Sequence, residues 1–99
     1  MELKEKALKF HEGGKFSTTL KHEINNREDL SLAYTPGVAS ACLAIKDNPK
    51  DAYKYTSKGN IVAVITDGTA VLGLGDIGPL AGIPVMEGKA NLFKKFADI

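Results

Sequence analysis

Ninety-nine residues, 43% of them hydrophobic and 25% charged, describe one small globular unit able to bury about 65% of the surface its unfolded chain exposes. Lys and Arg number 13 against 12 Asp and Glu, a net charge of +1, so nothing steers the chain towards nucleic acid or an anionic membrane. The single cysteine, Cys42, excludes an internal disulfide and a cysteine-rich zinc site and fits a reducing cytoplasm.

The alternating charges of Met1 to Lys6 exclude a signal peptide, and Glu2 to His11 reads as a short surface helix. Glu2–Lys6 and Glu5–Lys9 are favourable (i, i+4) pairs on it, and Gly13-Gly14 ends it. Lys15 to Asn25 is polar linker. Asn26, with Asp29 three residues on, predicts an N-cap and a helix over Arg27 to Ala33. Pro36-Gly37 is a turn, with Pro presetting the first position and Gly free to take positive φ at the second. Val38, Ala41, Cys42 and Ile45 then form one buried helical stripe, which makes Cys42 a small core residue. Asn48-Pro49 ends that helix and starts a shorter one carrying Tyr53 and Tyr55, and Lys58-Gly59-Asn60 turns the chain.

Ile61 to Thr66 is β-branched and apolar on both faces, the pattern of an interior strand, and far too short to span a bilayer. Asp67-Gly68 is a hairpin signal, with Ala70 to Leu74 as the returning arm. Pro84 opens a last helix running to about Asp98. The predicted class is therefore α/β, α+β-like in this stretch, with short helices around a small sheet of strands near 61–66 and 70–74. One hairpin does not close a sheet, and the final helix stops at Ile99 without a cap. Both features read as the front portion of a larger protein, or a chain completed by a partner.

Lys89 carries the sharpest chemical signal. With Met86 at zero on a wheel of about 100° per residue, Ala90, Phe93 and Ala97 fall within about 40°, and Lys89 lies about 60° away between Phe93 and Phe96. Glu87, Asn91, Lys94, Lys95 and Asp98 occupy the solvent arc. A lysine on an apolar stripe snorkels, pairs or loses its proton; the last of these suits a general base. Gly88 beside it permits close approach of a ligand. Tyr34 precedes the Thr35-Pro36-Gly37 turn, where it either packs its ring or presents its hydroxyl as a donor. Gly73, Gly75 and Gly78 match G-x-G-x-x-G, with Asp98 placed like the ribose-binding acid. Yet Pro79 follows, and the long helix starts too late to hold a pyrophosphate. The loop reads instead as backbone folded against Lys89 and a small ligand, with Gly75 and Asp76 lining it. The carboxylates make no metal pattern: Asp67 belongs to its turn, and His11 and His22 are solvated.

Leu30 to Ala39, Thr66 to Gly78 and Pro84 to Ala90, three ordered blocks, resemble the N-terminal domain of malic enzymes of the compact bacterial and archaeal type. The resemblance runs from about Asp29 to Ile99 and implies oxidation and decarboxylation of L-malate to pyruvate and CO2 with NAD or NADP and Mg²⁺ or Mn²⁺. It maps the family's catalytic tyrosine onto Tyr34, as proton donor to the enol carbon, and its catalytic lysine onto Lys89, as acceptor of the hydroxyl proton; substrate binding falls to Lys89, Gly75 and Asp76. Ala70 stands where larger members place an arginine. The resemblance puts the metal-binding carboxylates and the Rossmann domain downstream, so this stretch (1–25 helix and linker, 26–99 catalytic-motif region) is expected to bind no cofactor or metal and to be inactive alone. It also implies a cytoplasmic homodimer or larger homo-oligomer, with no nucleic-acid or membrane partner. The alternatives are a non-catalytic assembly module complementing a separate cofactor-binding chain, and a nucleotide binder using Gly73 to Gly78.

Overall fold

The computed structural model describes residues 2–99. They form two compact units: one takes in the chain up to Thr18 together with Val62–Ile99, the other is Thr19–Ile61.

After the irregular segment 19–25, the second unit is local helical structure. Its first helix, which is α2 in chain order, spans Arg27–Ala33; Asn26 Oδ1 accepts from the Asp29 N–H at 2.8 Å, and Asp29 Oδ2 accepts in return from the Asn25 N–H. This reciprocal arrangement satisfies donors that a helix start leaves orphaned. Helix α3, Val38–Asp47, follows a tight corner. There the Gly37 N–H donates to Ser31 O at 2.7 Å, and a Cβ on Gly37 would sit 2.4 Å from that same oxygen. Gly37 has φ −61°, so close approach and not positive φ is what requires glycine. Val38, Ala41, Ala44 and Ile45 are the half-covered face of α3, and Cys42 is exposed. Three of the four predicted stripe positions are half-covered, with Ala44 in place of Cys42, which is no core residue. A 3₁₀ turn at Pro49–Asp51, helix α4 at Ala52–Tyr55 and a second 3₁₀ turn at Ser57–Asn60 complete the unit.

The first unit begins with α1, Leu3–His11, which ends at Gly13 and Gly14, both at positive φ. After Val62 it differs from expectation. Among the described residues there is no strand, so the predicted α/β class, with strands near 61–66 and 70–74, is overturned. Strand propensity becomes a strand only when a partner takes up the backbone groups, and among the described residues no hydrogen bond engages the backbone of Val62–Ile65. The returning arm is spent on local turns. Leu72–Leu74 is a 3₁₀ turn, Val71 N–H donates to Gly75 O at 2.8 Å, and Leu74 N–H donates to Val71 O at 2.9 Å.

The Asp67-Gly68 turn does form, but it closes a loop and not a hairpin. Gly68 O accepts from both Ile77 N–H (3.0 Å) and Gly78 N–H (3.1 Å). Gly68 has φ +74°, and a Cβ there would lie 1.9 Å from Gly78 O. The closed loop covers Val71, the one buried apolar side chain among the described residues, whose Cγ2 lies 3.5 Å from where Gly82 would carry a Cβ. A single turn, α5 (Gly78–Ala81), then leads into α6, Ile83–Ala97, with Pro84 in its first turn. No helix among the described residues is long and apolar enough to cross a membrane.

Two outcomes follow from this loop. Gly68→Ala must displace a backbone carbonyl and adopt positive φ, and should destabilise the protein by at least ~2 kcal/mol in denaturant unfolding. The Thr69 hydroxyl and then its N–H, both on Asp67 Oδ1, hold the Asp67 carboxyl below the usual carboxylate range. A depressed folded value means the contribution is present above about pH 3.9, the unfolded value, and is lost as pH falls through the folded one. The stability gap between wild type and Asp67→Asn, followed by thermal unfolding from pH 6 downward, should therefore narrow only in strong acid.

Candidate functional site

Helix α6 is the element on which the candidate site is built. Its residues Glu87 and Asn91, one turn apart, do not face bulk solvent as the wheel places them. They hold one residue of the segment that follows α1. The Lys15 N–H donates to Glu87 Oε1 at 2.8 Å, and Asn91 Nδ2 donates to Lys15 O at 2.9 Å. Both backbone groups of Lys15 are thus captured by side chains of α6.

The side chain of Lys15 is held as well. Its Nζ donates to Pro84 O at 2.5 Å and lies 2.8 Å from His11 Nε2. His11 Nδ1 is 2.7 Å from Ala7 O. A carbonyl can only accept, so the geometry assigns the proton to Nδ1 and leaves Nε2 to accept from the ammonium. His11, read from sequence as merely solvated, is one link of this chain.

Beside Lys15 lies an open cleft of about 530 Å³, and His11, Lys15, Leu72, Gly88, Lys89 and Leu92 are among its lining residues. Lys89 is exposed in it. The desolvation predicted from the helical wheel is absent within this unit: Met86 and Ala90 are half-buried, and Phe96 is 79% exposed. Gly88 keeps open the space over the helix, where a Cβ would stand 3.5 Å from Lys15 Nζ.

Tyr34 belongs to the second unit. Its N–H donates to Leu30 O at 2.9 Å and its carbonyl accepts from Val38 N–H at 2.6 Å, so the backbone is fixed at the α2–α3 corner while the side chain is 67% exposed. The ring is not packed under the turn. Gly75 (φ +73°) serves the Val71 turn, Asp76 is exposed, and neither lines the cleft with Lys89. The loop residue that does is Leu72, at φ +51°. Sequence reasoning missed Lys15, His11 and Leu72; the available signals were the His11–Lys15 spacing of one helical turn and the Gly-Gly-Lys run.

Neither a dinucleotide nor a metal fits the residues present. The glycine run follows no strand and opens into one helical turn, whereas a pyrophosphate site needs both a preceding strand and a long helix. Asp98, the candidate ribose acid, is ion-paired with Lys94. Among the described residues no group of three or more His, Cys, Asp or Glu is placed to hold a metal ion. The larger hollow, about 810 Å³ in the second unit, is lined by Leu20, Ile24 and Leu32 together with charged linker residues and gathers no reactive constellation.

The malic enzyme N-terminal domain profile matches residues 13–99. The NADP-dependent malic enzyme of Escherichia coli is 58% identical over 101 aligned residues, covering 99% of this chain and 13% of the relative. The NAD-dependent malic enzyme of Geobacillus stearothermophilus is 54% identical over 99, covering 100% and 21%. The crystal structure of malic enzyme from Pyrococcus horikoshii superposes with a TM-score of 0.94 at 54% identity, covering 99% of this chain and 24% of that one. The chain therefore spans between about an eighth and a quarter of the length of these relatives.

The two-point hold on Lys15 predicts a measurable change. In Glu87→Ala, the Lys15 amide loses its acceptor and should exchange at least tenfold faster in hydrogen–deuterium exchange, while amides of α3 keep wild-type rates.

Proposed function

The chain belongs to the malic enzyme N-terminal domain family, and from that membership we propose that it supplies the proton-handling residues of an enzyme that converts L-malate to pyruvate and CO2. Lys89 Nζ accepts the proton of the substrate hydroxyl as the C2 carbon is oxidised. After CO2 leaves, Tyr34 Oη protonates C3 of the remaining enolate to give pyruvate. A neutral amine is the competent form of Lys89 in the first step, and the ammonium it becomes stabilises the tyrosinate left by the second. The nicotinamide, NAD or NADP, and the divalent cation, Mg²⁺ or Mn²⁺, fall to residues outside this stretch. Within it, 1–25 is helix and linker and 26–99 carries the catalytic motifs.

The observation that carries this reading is the position of Lys89 in an open cleft, next to a helical glycine and a second, fixed lysine. That cleft suits a small anion, and L-malate is a dianion at neutral pH. Tyr34, fixed by its backbone with its side chain exposed, supports the donor role. Gly75, whose carbonyl accepts from Val71 N–H in the loop that carries Leu72, and the exposed Asp76 are the further substrate-binding residues of this reading. The exposed apolar side chains, among them Ile65, Leu80 and Phe96, support burial against further protein in a cytoplasmic homo-oligomer.

Malate-dependent reduction of NAD⁺ or NADP⁺ with Mn²⁺ tests the reading. The complete gene product is expected to be active, Lys89→Ala to lower kcat by about 10²–10⁴-fold, and Tyr34→Phe to impair pyruvate formation by a similar factor. Residues 1–99 alone should be inactive. An unimpaired Lys89→Ala enzyme would remove the lysine from the mechanism, and turnover by residues 1–99 alone would mean that this stretch holds the cofactor and the cation itself.

A further inference from the structure

We propose that Lys15 is a substrate-binding residue, the ammonium that takes one carboxylate of the dianion whose reacting carbon lies at Lys89. The proposal rests on the reading of the site given above and deepens it, since it names how the cleft holds a dicarboxylate.

Three features carry the argument. Lys15 and Lys89 line one cleft of about 530 Å³. They divide the labour that a dicarboxylate with a reacting hydroxyl demands: Lys89, as base, must be neutral when it takes the proton, so it cannot be the cation that holds the anion. The permanent charge has to come from another residue, and Lys15 is the other lysine lining the cleft.

The second feature is preorganisation. A lysine side chain carries roughly 2 kcal/mol of rotamer entropy, which an ordinary surface lysine forfeits when it grips a ligand. Lys15 has little left to lose. Its N–H and C=O are held by Glu87 and Asn91 across 72 and 76 residues of sequence, and its Nζ by Pro84 O and His11 Nε2. Two contacts fix the backbone and two the ammonium of one half-buried residue that supports no buried core.

The third feature is valence. An ammonium has three N–H donors, and two are assigned, to Pro84 O and to His11. The third remains for a ligand. Gly88 lines the same cleft, and a Cβ there would meet Lys15 Nζ at 3.5 Å, so a longer side chain would take up space beside the ammonium. Cleft, cation and clearance thus converge beside Lys89.

The test is steady-state kinetics of the complete enzyme with L-malate, for wild type, Lys15→Gln and Lys15→Arg. Glutamine keeps an amide donor one bond short of Nζ and the backbone hold on position 15 but carries no charge, and a wild-type melting temperature of Lys15→Gln separates the ligand role from a role in tethering α1. Lys15→Gln should raise KM for malate tenfold or more with kcat within about threefold of wild type, and Lys15→Arg should recover most of the loss. A KM within twofold of wild type in Lys15→Gln overturns the proposal while leaving the malate reading intact, as does a fall in kcat at unchanged KM. If Lys15→Gln proves unstable, amine acetylation of Lys15 in the wild-type enzyme decides: protection of tenfold or more by saturating malate supports the proposal, and labelling unchanged by malate overturns it. A wild-type enzyme that does not oxidise malate overturns both readings together.

Discussion

The carbonyl oxygen of Gly78 occupies the place where any residue larger than glycine at position 68 would put its Cβ. That single steric fact organises the first unit. It lets Gly68 O accept two N–H groups at once, which closes residues 68–78 into a loop, and the loop shuts over Val71. Because the loop returns the chain to Gly78, α5 and then α6 start from a defined point. The direction of α6, and with it the placement of Lys89, is inherited from a contact between two glycines ten positions apart.

Helix α6 then holds Lys15 from a single face, since positions 84, 87 and 91 follow the i, i+3, i+7 spacing. Glu87 and Asn91 bind the backbone of Lys15, and Pro84 O receives its side chain. Each of these bonds involves a charged or strongly polar partner, and each is half-exposed or exposed, so their individual worth is modest. Their effect is geometric. Four anchors on one residue determine where a cation sits beside the cleft, and the residue that benefits is adjacent in space to the proposed base. A structural staple of α1 onto α6 would need no such control over a lysine's terminal nitrogen.

What the sequence discloses is what short-range physics controls. The Asn26 cap, the end of α1 at Gly13-Gly14, the break at Asn48-Pro49 and the extent of α6 to within a residue or two are all decided by neighbours a few positions away. The sheet was the failure. Ile61 to Thr66 has strand composition, but a strand is a property of a pair, and the arm expected to pair with it spends its N–H groups on Gly75 O and Val71 O. Gly37 was assigned to the right corner for the wrong reason, since a clash with Ser31 O cannot be read from a Pro-Gly dipeptide. The wheel put Lys89 on the apolar stripe, where it is exposed, and put Glu87 and Asn91 in water, where they are half-buried. Their true partner lies more than 70 residues away, and no helical periodicity encodes it.

Exposure sets the remaining constraint on the chemistry. Tyr34 and Lys89 are each fixed at the backbone and each open at the functional atom within its own unit. The proton transfer proposed for them requires water to be excluded and opposing charge to be arranged around both side chains. The scaffold of this stretch therefore solves position and leaves environment to whatever covers it. The same division explains its surface. The apolar side chains flanking the reactive region, Leu72 and Leu92 at the cleft and Leu80 and Phe96 beyond it, remain bare. A cover that buried them would at the same stroke desolvate Lys89 and leave the hydrogen-bonded ammonium of Lys15 as the charge facing a carboxylate in a medium of lower dielectric, where the attraction is several-fold stronger than in water.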